Sequence, residues 1–242
     1  MMSGAGPVRY VYDGGAGMEA IVCRDSRIAY PLHTHASVFT AGLVLAGPVV
    51  LVCGGASRVC ASGECFQIPP HLPHSFRGDG PYSLLSLCVP ADMLRLEAAQ
   101  DGLRRLLEAV PEPEALAGLL ASLRRLPPPA ALPPSVAAAE RQIARSPERG
   151  MQVREMAQAA YMSQYHFIRS FRRSLGLTPH QLQIQHRVRK AQRLLDGPCG
   201  IAEAALAAGF CDQSHLTRHF KRLLGLTPAV YRASRTVLPP LR

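Results

Sequence analysis

Residues 174–182 read SLGLTPHQL and residues 223–231 read LLGLTPAVY, so one Leu-Gly-Leu-Thr-Pro sequence occurs twice in the C-terminal third of a 242-residue chain. The similarity extends upstream when Ser163 is aligned with Asp212. SQYHFIRSFRRSLGLTP then lies over DQSHLTRHFKRLLGLTP, and ten of the seventeen pairs are identical. The chain therefore contains a duplicated unit.

Each copy of the unit is typical of two helices joined by a short turn. VREMAQAA at 153–160 lies over IAEAALAA at 201–208, with one extra residue in the turn of the second copy. The boundary residues come in pairs: Ser163 and Asp212 as N-caps, Gly176 and Gly225 at left-handed helix ends, and Pro179 and Pro228 shortly after them. The repeated Leu-Gly-Leu-Thr-Pro is thus predicted to end a helix twice.

The second helix of each copy has two contrasting faces. The apolar face, predicted to pack in the core, consists of Phe167, Phe171 and Leu175 in one copy and Leu216, Phe220 and Leu224 in the other. The opposite face consists of Gln164, Tyr165, Ile168, Arg169 and Arg172, then Gln213, Ser214, Thr217, Arg218 and Lys221. Gln, Arg, Ser and Thr bind base edges in a major groove, while flanking Arg or Lys bind phosphates. Two matched copies favour a tandem helix-turn-helix module over a generic helical repeat.

The charge of the chain is divided unevenly. Residues 1–134 contain 10 Lys+Arg and 11 Asp+Glu, a net −1, whereas residues 135–242 contain 17 and 6, a net +11. Because only Lys190 and Lys221 are lysines, the excess is nearly all guanidinium, which suits phosphates and guanine edges. The composition predicts double-stranded DNA rather than a membrane as the partner, with a merely soluble arginine-rich surface as the alternative.

The segment GIAEAALAAGFCDQSHLTRHFKRLLGLTPAVYR at 200–232 resembles the signature of the AraC/XylS family of bacterial transcription regulators. The resemblance covers about residues 135–235 and implies two helix-turn-helix units joined by a long helix. That helix would be PHQLQIQHRVRKAQRLLD, docked by Leu182, His186, Ala191, Leu194 and Leu195. The family's base-contacting sites fall on Gln164, Tyr165, Ile168 and Arg169, and on Gln213, Ser214, Thr217 and Arg218. One departure is AYMS at 160–163, where a glycine is common in the turn.

The N-terminal half is predicted to be a small barrel or sandwich followed by helices. Six short runs are rich in Val, Ile, Leu and Phe and are separated by turn residues: AIVCR, VFTAGLVLAG, VVLVCG, ASRVCA, ECFQIP and YSLLSLCV. Leucines at helical spacing follow, at 94–107 and 116–123, and they need a partner surface. That surface is either the flank of the barrel or the same helices of a second copy, and the family resemblance favours the second, a homodimer.

These patterns divide the chain into three parts. We expect an effector-sensing barrel at 1–90, dimerisation helices with the Pro-rich linker PPPAALPP at 91–134, and the DNA-binding module at 135–242. The fold class is therefore α+β multidomain, with a cupin-like barrel, a helical linker and an all-α tandem helix-turn-helix domain.

Histidines mark the candidate effector site. PLHTHASVFTAGLVLAG and ECFQIPPHLPHSF are similar to the cupin barrel that many family members use to sense a small effector. The resemblance implies that His33, His35 and His74 meet inside the barrel. Three imidazoles bind Zn, Ni, Cu or Fe, with a cysteine from Cys23, Cys53, Cys60, Cys65 or Cys88 as a softer ligand. Metal cupins, however, usually supply a Glu after the His pair, and ASVFTAG contains none. Three interpretations therefore stay open: an organic-effector pocket, a metal site, and histidines that only hydrogen-bond the strand backbones.

Composition and motifs also set broader expectations. The seven cysteines include no CxxC pair, which favours reduced thiols in the cytoplasm. The N-terminus lacks the layout of a signal peptide, and no apolar run is long enough to span a membrane. A cupin enzyme fused to a DNA-binding module is the least favoured alternative, because the carboxylate of a catalytic iron site is missing. We expect no enzyme activity, and the family resemblance implies RNA polymerase as a further partner.

Overall fold

The structure, a computed structural model, describes residues 8–14, 17–91, 131–150 and 152–238, together with 102, 104–106, 108–109 and 119. The chain divides into two compact units, a strand-rich N-terminal domain (residues 1–29, 35–129 and 230–242) and a helical C-terminal domain (residues 30–34 and 130–229). Most of the predicted helices and the Pro-rich linker at 91–134 lie outside the described residues. The three-part division of the chain consequently stays a prediction.

The described chain contains two sheets. Its strands are β1 (Val8–Asp13), β2 (Met18–Ser26), β3 (Tyr30–His33), β4 (Val38–Ala46), β5 (Val49–Cys53), β6 (Ala56–Cys60), β7 (Cys65–Ile68), β8 (His74–Gly78), β9 (Tyr82–Pro90) and β10 (Thr236–Leu238). One sheet has the order β10-β1-β2-β9-β4-β7 and the other the order β3-β8-β5-β6. The predicted cupin-like domain is confirmed, although the described strands form two open sheets rather than a closed barrel.

The strand predictions succeeded where apolar runs are unbroken. The six predicted runs correspond to β2, β4, β5, β6, β7 and β9. The strands β3 and β8 contain Pro31, His33 and His74, so they lack the apolar alternation that marks a strand. The strand β10 pairs in parallel with β1, through Val11 and Thr236. A pairing across more than two hundred residues leaves no local pattern in the sequence.

The six-stranded sheet buries one apolar face. Its core cluster consists of Val11, Met18, Ala20, Val22, Ala41, Leu43, Leu85, Leu87 and Val89, joined by Leu106 and Leu119. Leu106 and Leu119 are fully buried against these strand residues. Arg105 also binds the buried carboxylate of Asp13, with an Nη1–Oδ2 distance of 3.2 Å. The described leucines of the helical segment therefore pack on the flank of the domain itself, which is the alternative that the family resemblance did not favour.

Aromatic rings fill the space between β7, β8 and β9. Phe76 lies with its ring centroid 5.7 Å from Phe66 and 5.4 Å from Tyr82. A Cβ at Gly42 of β4 would overlap the ring of Phe66, so this position requires glycine. The Tyr82 hydroxyl donates to the Ile28 carbonyl oxygen at 2.6 Å. The four-stranded and six-stranded sheets are thus held together by ring contacts as well as by aliphatic packing.

The helical domain follows the predicted duplication. Its helices are α1 (Pro134–Arg145), α2 (Val153–Ala159), α3 (Gln164–Leu175), α4 (Pro179–Asp196), α5 (Ile201–Ala207), α6 (Gln213–Leu224) and α7 (Pro228–Ser234). The pairs α2–α3 and α5–α6 are the two helix-turn-helix units, and α4 joins them. None of the helices within the described residues combines the length and hydrophobicity that crossing a membrane requires.

Candidate nucleic-acid interface and effector site

The first predicted reading helix, α3, begins and ends where its sequence indicates. The Ser163 side chain accepts a hydrogen bond from the His166 backbone N–H at 3.3 Å, and Gly176 ends the helix with a φ of 70°. Phe167, Phe171 and Leu175 are fully buried. The predicted apolar face is therefore confirmed, and the rotation of the helix that it fixes turns the opposite face outward.

The second reading helix, α6, repeats this arrangement. The Asp212 carboxylate accepts a hydrogen bond from the His215 backbone N–H at 2.7 Å, and Gly225 ends the helix with a φ of 77°. Leu216 and Phe220 are fully buried, and Leu224 is buried. The two helices therefore present corresponding faces, although their exposed residues differ in sequence.

Most of the predicted DNA-contacting side chains are solvent-exposed. The exposed residues are Gln164, Tyr165, Arg169 and Arg172 on α3, and Gln213, Ser214, Arg218 and Lys221 on α6. Ile168 and Thr217 are half-buried. The Thr217 hydroxyl donates to the Gln213 carbonyl oxygen at 2.8 Å, so its hydrogen is used within the helix. Eight of the ten side chains are thus accessible to a ligand in solution.

The repeated pentapeptide also begins the joining helix, a role that sequence reasoning missed. The Thr178 hydroxyl accepts a hydrogen bond from the Gln181 backbone N–H at 3.2 Å, and the Thr178 N–H donates to the Gln181 Oε1 at 2.8 Å. This reciprocal pair is a capping box, and Pro179 occupies the first turn, where no backbone donor is needed. The Thr-x-x-Gln spacing was the available signal. One short segment therefore fixes the angle between α3 and α4 from both sides.

Long polar side chains of α4 hold the turn at 147–149. Gln183 Nε2 donates to the carbonyl oxygens of Pro147 at 3.1 Å and Arg149 at 2.6 Å. Arg187 Nε donates to the Pro147 oxygen at 2.7 Å, and the Lys190 ammonium lies 2.8 Å from a Glu148 carboxylate oxygen. That contact holds the pKa of Glu148 below its usual range. Some of the excess basic residues, here Arg187 and Lys190, therefore make contacts inside the domain.

The interior of the joining helix is more polar than its predicted docking residues imply. Leu182, Ala191 and Leu195 are buried, while His186 and Leu194 are half-buried. Burial, reinforced by the positive charges of Arg193 and Arg189, lowers the pKa of His186 to about 4. The imidazole is therefore neutral at pH 7, as a packed side chain beside cations must be.

His35 and His74, two of the three histidines predicted for the effector site, lie side by side, with ring centroids 5.1 Å apart. His33 belongs to the other compact unit. His33 Nδ1 lies 2.8 Å from the Pro31 carbonyl oxygen, and His74 Nδ1 lies 2.9 Å from the Leu72 carbonyl oxygen. A carbonyl can only accept, so each Nδ1 carries the proton in the neutral ring. Each Nε2 then keeps its lone pair, as a metal-binding imidazole requires.

A hydroxyl and a thiol extend this cluster. Thr40 Oγ1 lies 3.3 Å from His35 Nδ1 and 3.5 Å from the Sγ of the buried Cys88. All seven cysteines are free thiols, and the pKa of Cys53 and of Cys65 is raised by burial. Sequence reasoning missed Thr40, because only the pairing of β4 with β9 brings it beside Cys88. Cys88 is consequently the cysteine that the hydrogen-bonded contacts connect to the histidines.

Comparison with known families agrees with this two-part architecture. A sequence model of the AraC-like ligand binding domain matches residues 15–151, more than half of the chain, and a model of a helix-turn-helix domain matches residues 156–234. The chain belongs to the AraC/XylS family. This AraC-family protein is a DNA-binding transcription regulator with an N-terminal ligand-binding domain.

Solved structures of ToxT share the fold of the regulator. ToxT from Vibrio cholerae O395 is 12% identical, with 90% of this chain and 97% of that chain covered and a TM-score of 0.60. Unsaturated fatty acid-bound ToxT from strain SCE256 is 11% identical, with 90% and 94% covered and a TM-score of 0.59. The DNA-binding domain of AdpA, solved with a target DNA, is 37% identical over 41% of this chain and 90% of that chain, with a TM-score of 0.38. No curated protein sequence matches the chain significantly.

Proposed function

We propose that the regulator reads two neighbouring major-groove segments of one duplex through α3 and α6, and that a small effector bound in the N-terminal domain controls this binding. The observation that carries the proposal is the pair of equivalent exposed faces, each opposite a buried apolar stripe. Helix-turn-helix proteins dock such a face in the major groove. The proposed activity is regulatory and not enzymatic.

Charge supports DNA as the ligand of these faces. The exposed cations on the two helices are Arg169, Arg172, Arg173, Arg218, Lys221 and Arg222. Residues 156–195 contain no Asp or Glu, so no carboxylate from this segment opposes a phosphate near the first face. Arginine at the middle of each face can bind guanine through two hydrogen bonds, whereas the cations nearer the helix ends meet the backbone.

Single substitutions distinguish these two roles. Arg169→Ala and Arg218→Ala are each expected to cost about 1–3 kcal/mol of binding free energy at the cognate site and to relax base preference at one position. Arg172→Ala is the matched control for Arg169→Ala, because it removes the same charge from the same helix. It is expected to weaken binding to all DNA sequences alike. Fluorescence anisotropy with cognate and random duplexes measures both effects. Equal losses on both duplexes for Arg169→Ala would make that residue a phosphate contact.

The proposed effector site includes His33, His35 and His74. The neighbouring rings of His35 and His74, with the Thr40 and Cys88 side chains beside them, support a polar site on otherwise apolar strands. Ligand pockets combine this kind of apolar lining with a few fixed polar groups. An organic effector is the first candidate, since imidazole, hydroxyl and thiol groups offer both donors and acceptors to it.

A transition metal is the second candidate effector. The Nδ1 contacts of His33 and His74 with backbone carbonyls support it, because they leave both Nε2 atoms as ligands. His35 and the Cys88 thiolate would complete a mixed nitrogen and sulfur set, which suits Zn, Cu or Ni better than Mg or Ca. Metal binding should then weaken as the pH falls through about 6.5, where imidazole gains a proton.

Substituting any one of the three histidines by Ala is expected to abolish the effector response and to leave operator binding intact. The physical reason is that the substitutions remove ligand contacts, and His35 and His74 lie in the strand-rich domain whereas the reading helices lie in the helical one. His33 lies on β3, which contacts α6 within the helical domain, so operator binding by its variant is the most stringent part of the test. A reporter assay paired with gel shifts measures the two properties separately, and metal content of untagged protein separates the two effector classes. His71→Asn is the matched control, a histidine of the same domain outside the cluster. A full response in all three variants would remove these histidines from the mechanism.

The remaining features of the proposal concern assembly. We propose the division into a sensing part at 1–90, a helical dimerisation and linker part at 91–134 and a DNA-binding part at 135–242. A homodimer in the cytoplasm, acting with RNA polymerase, accords with the family. The packing of Leu106 and Leu119 inside the N-terminal domain means that a dimer must use other side chains of the 91–134 segment.

A further inference from the structure

A tyrosine occupies a backbone position that favours glycine, in the turn between α2 and α3. Tyr161 has a φ of 54°, in the left-handed region. Its N–H donates to the Gln158 carbonyl oxygen at 2.9 Å, and the Met162 N–H donates to the Ala157 oxygen at 2.9 Å. This is the hydrogen-bonding pattern of a helix C-terminus whose closing residue is left-handed. A side chain with a Cβ is disfavoured in that conformation.

The second copy of the repeat has glycine at the equivalent position. Gly209 has a φ of 88°, and the Phe210 N–H donates to the Ala205 oxygen at 2.9 Å, as Met162 does in the first copy. A Cβ at Gly209 would lie 2.6 Å from the Glu148 Cα, so the second turn has no room for a side chain. The first turn, in contrast, accommodates a tyrosine, which points away from the domain.

The tyrosine side chain gains nothing within the protein that offsets this backbone conformation. Tyr161 is 99% exposed, so its ring packs against essentially nothing in the described chain. An aromatic ring normally contributes to stability by burying its large surface. A disfavoured residue without internal packing is instead typical of a site that contacts a ligand.

We infer that Tyr161 is a further DNA contact of this regulator, with its hydroxyl donating a hydrogen bond to a backbone phosphate beside the groove that α3 reads. The residue lies two positions before Ser163, the N-cap of α3, and residues at this end of a recognition helix are those nearest the duplex. Tyrosine hydroxyls are among the side-chain groups that bind phosphate oxygens. The inference rests on the proposed docking of α3.

The surroundings of Tyr161 suit a phosphate and not a protein partner. The helix α3, which begins three residues after Tyr161, exposes Gln164, Arg169 and Arg172 along its length, and the segment 156–195 contains no Asp or Glu. A phosphate contact carries no sequence information, so it should strengthen binding to all duplexes equally. Tyr161 therefore sets the affinity and position of the first unit on the duplex, whereas Arg169 sets its base preference.

Three variants of the full chain test the inference. Tyr161→Gly relieves the left-handed conformation, so its thermal unfolding temperature should equal or exceed that of the wild type. Its affinity for DNA should nevertheless fall about tenfold, on cognate and random duplexes alike. Tyr161→Asn, which tolerates the same backbone conformation, should lose the same affinity. Tyr161→Phe keeps the ring and removes only the hydroxyl. It should still show most of the loss of DNA affinity that is expected for Tyr161→Gly.

The outcomes separate this inference from the proposed function. Wild-type affinity in Tyr161→Gly or in Tyr161→Phe overturns the phosphate contact. If Arg169→Ala loses DNA affinity in the same measurements, the proposed docking of α3 still stands. If Arg169→Ala and Tyr161→Gly both bind cognate DNA like the wild type, the docking of α3 itself fails. A loss confined to the cognate duplex in the Tyr161 variants would also overturn the inference, because a phosphate contact acts on every sequence.

Discussion

Raising the salt concentration from about 50 to about 200 mM is expected to weaken duplex binding by the full chain about a thousandfold. Binding by exposed cations releases counterions from the DNA, and about six phosphate contacts give a log–log slope near −5. The six are Arg169, Arg172, Arg173, Arg218, Lys221 and Arg222, all exposed on the two reading helices. Arg187 and Lys190 are left out of this number because the 147–149 turn occupies them. Anisotropy titrations at several salt concentrations measure the slope.

A pair of charge-matched variants assigns the slope to the reading helices. Lys221→Ala should make the slope shallower by about one, since one phosphate contact disappears. Arg141→Ala removes the same charge from the exposed surface of α1 and should leave the slope unchanged. An affinity independent of salt, or equal changes in the two variants, would contradict the proposed interface.

Phe171→Ala and Phe220→Ala are each expected to lower the free energy of unfolding by about 3–5 kcal/mol. Both rings are fully buried, so truncation removes their buried surface and leaves a cavity that the surrounding helices fill only in part. Urea unfolding followed by circular dichroism at a helical wavelength reports the change as a shift of the midpoint.

The control for these truncations is an exposed ring on the same helix as Phe171. Tyr165 is 68% exposed, and Tyr165→Ala should change the free energy of unfolding by less than about 0.5 kcal/mol. Its affinity for cognate DNA should fall instead. A wild-type urea midpoint in Phe220→Ala would mean that the apolar and DNA-facing sides of α6 are assigned the wrong way round.

Sequence reasoning succeeded where the determinants are local. The caps Ser163 and Asp212, the left-handed Gly176 and Gly225 and the buried apolar stripes each follow from a few neighbouring residues. Duplication helped, because a pattern that occurs twice with matched ends is unlike chance periodicity. The exposure of the DNA-facing side then followed from the burial of the other side.

The parts that sequence reasoning missed depend on contacts between distant residues. Gln183 and Arg187 donate to carbonyl oxygens nearly forty residues away, and only the folded chain shows that these polar groups are satisfied internally. Thr40 meets Cys88 through strand pairing, not through spacing in the sequence. The role of Tyr161 depends on a backbone angle that the AYMS segment alone does not reveal, although its missing glycine was the available signal.

Selection of binding sites from a random duplex pool by the full chain tests the central claim most directly. Because α3 and α6 differ in their exposed residues, the selected sites should contain two unlike segments centred about one helical turn apart, roughly 10 bp, on one face of the duplex. Footprinting on a selected site should protect both segments. A pool without sequence preference, or a single perfect palindrome within that span, would contradict the account.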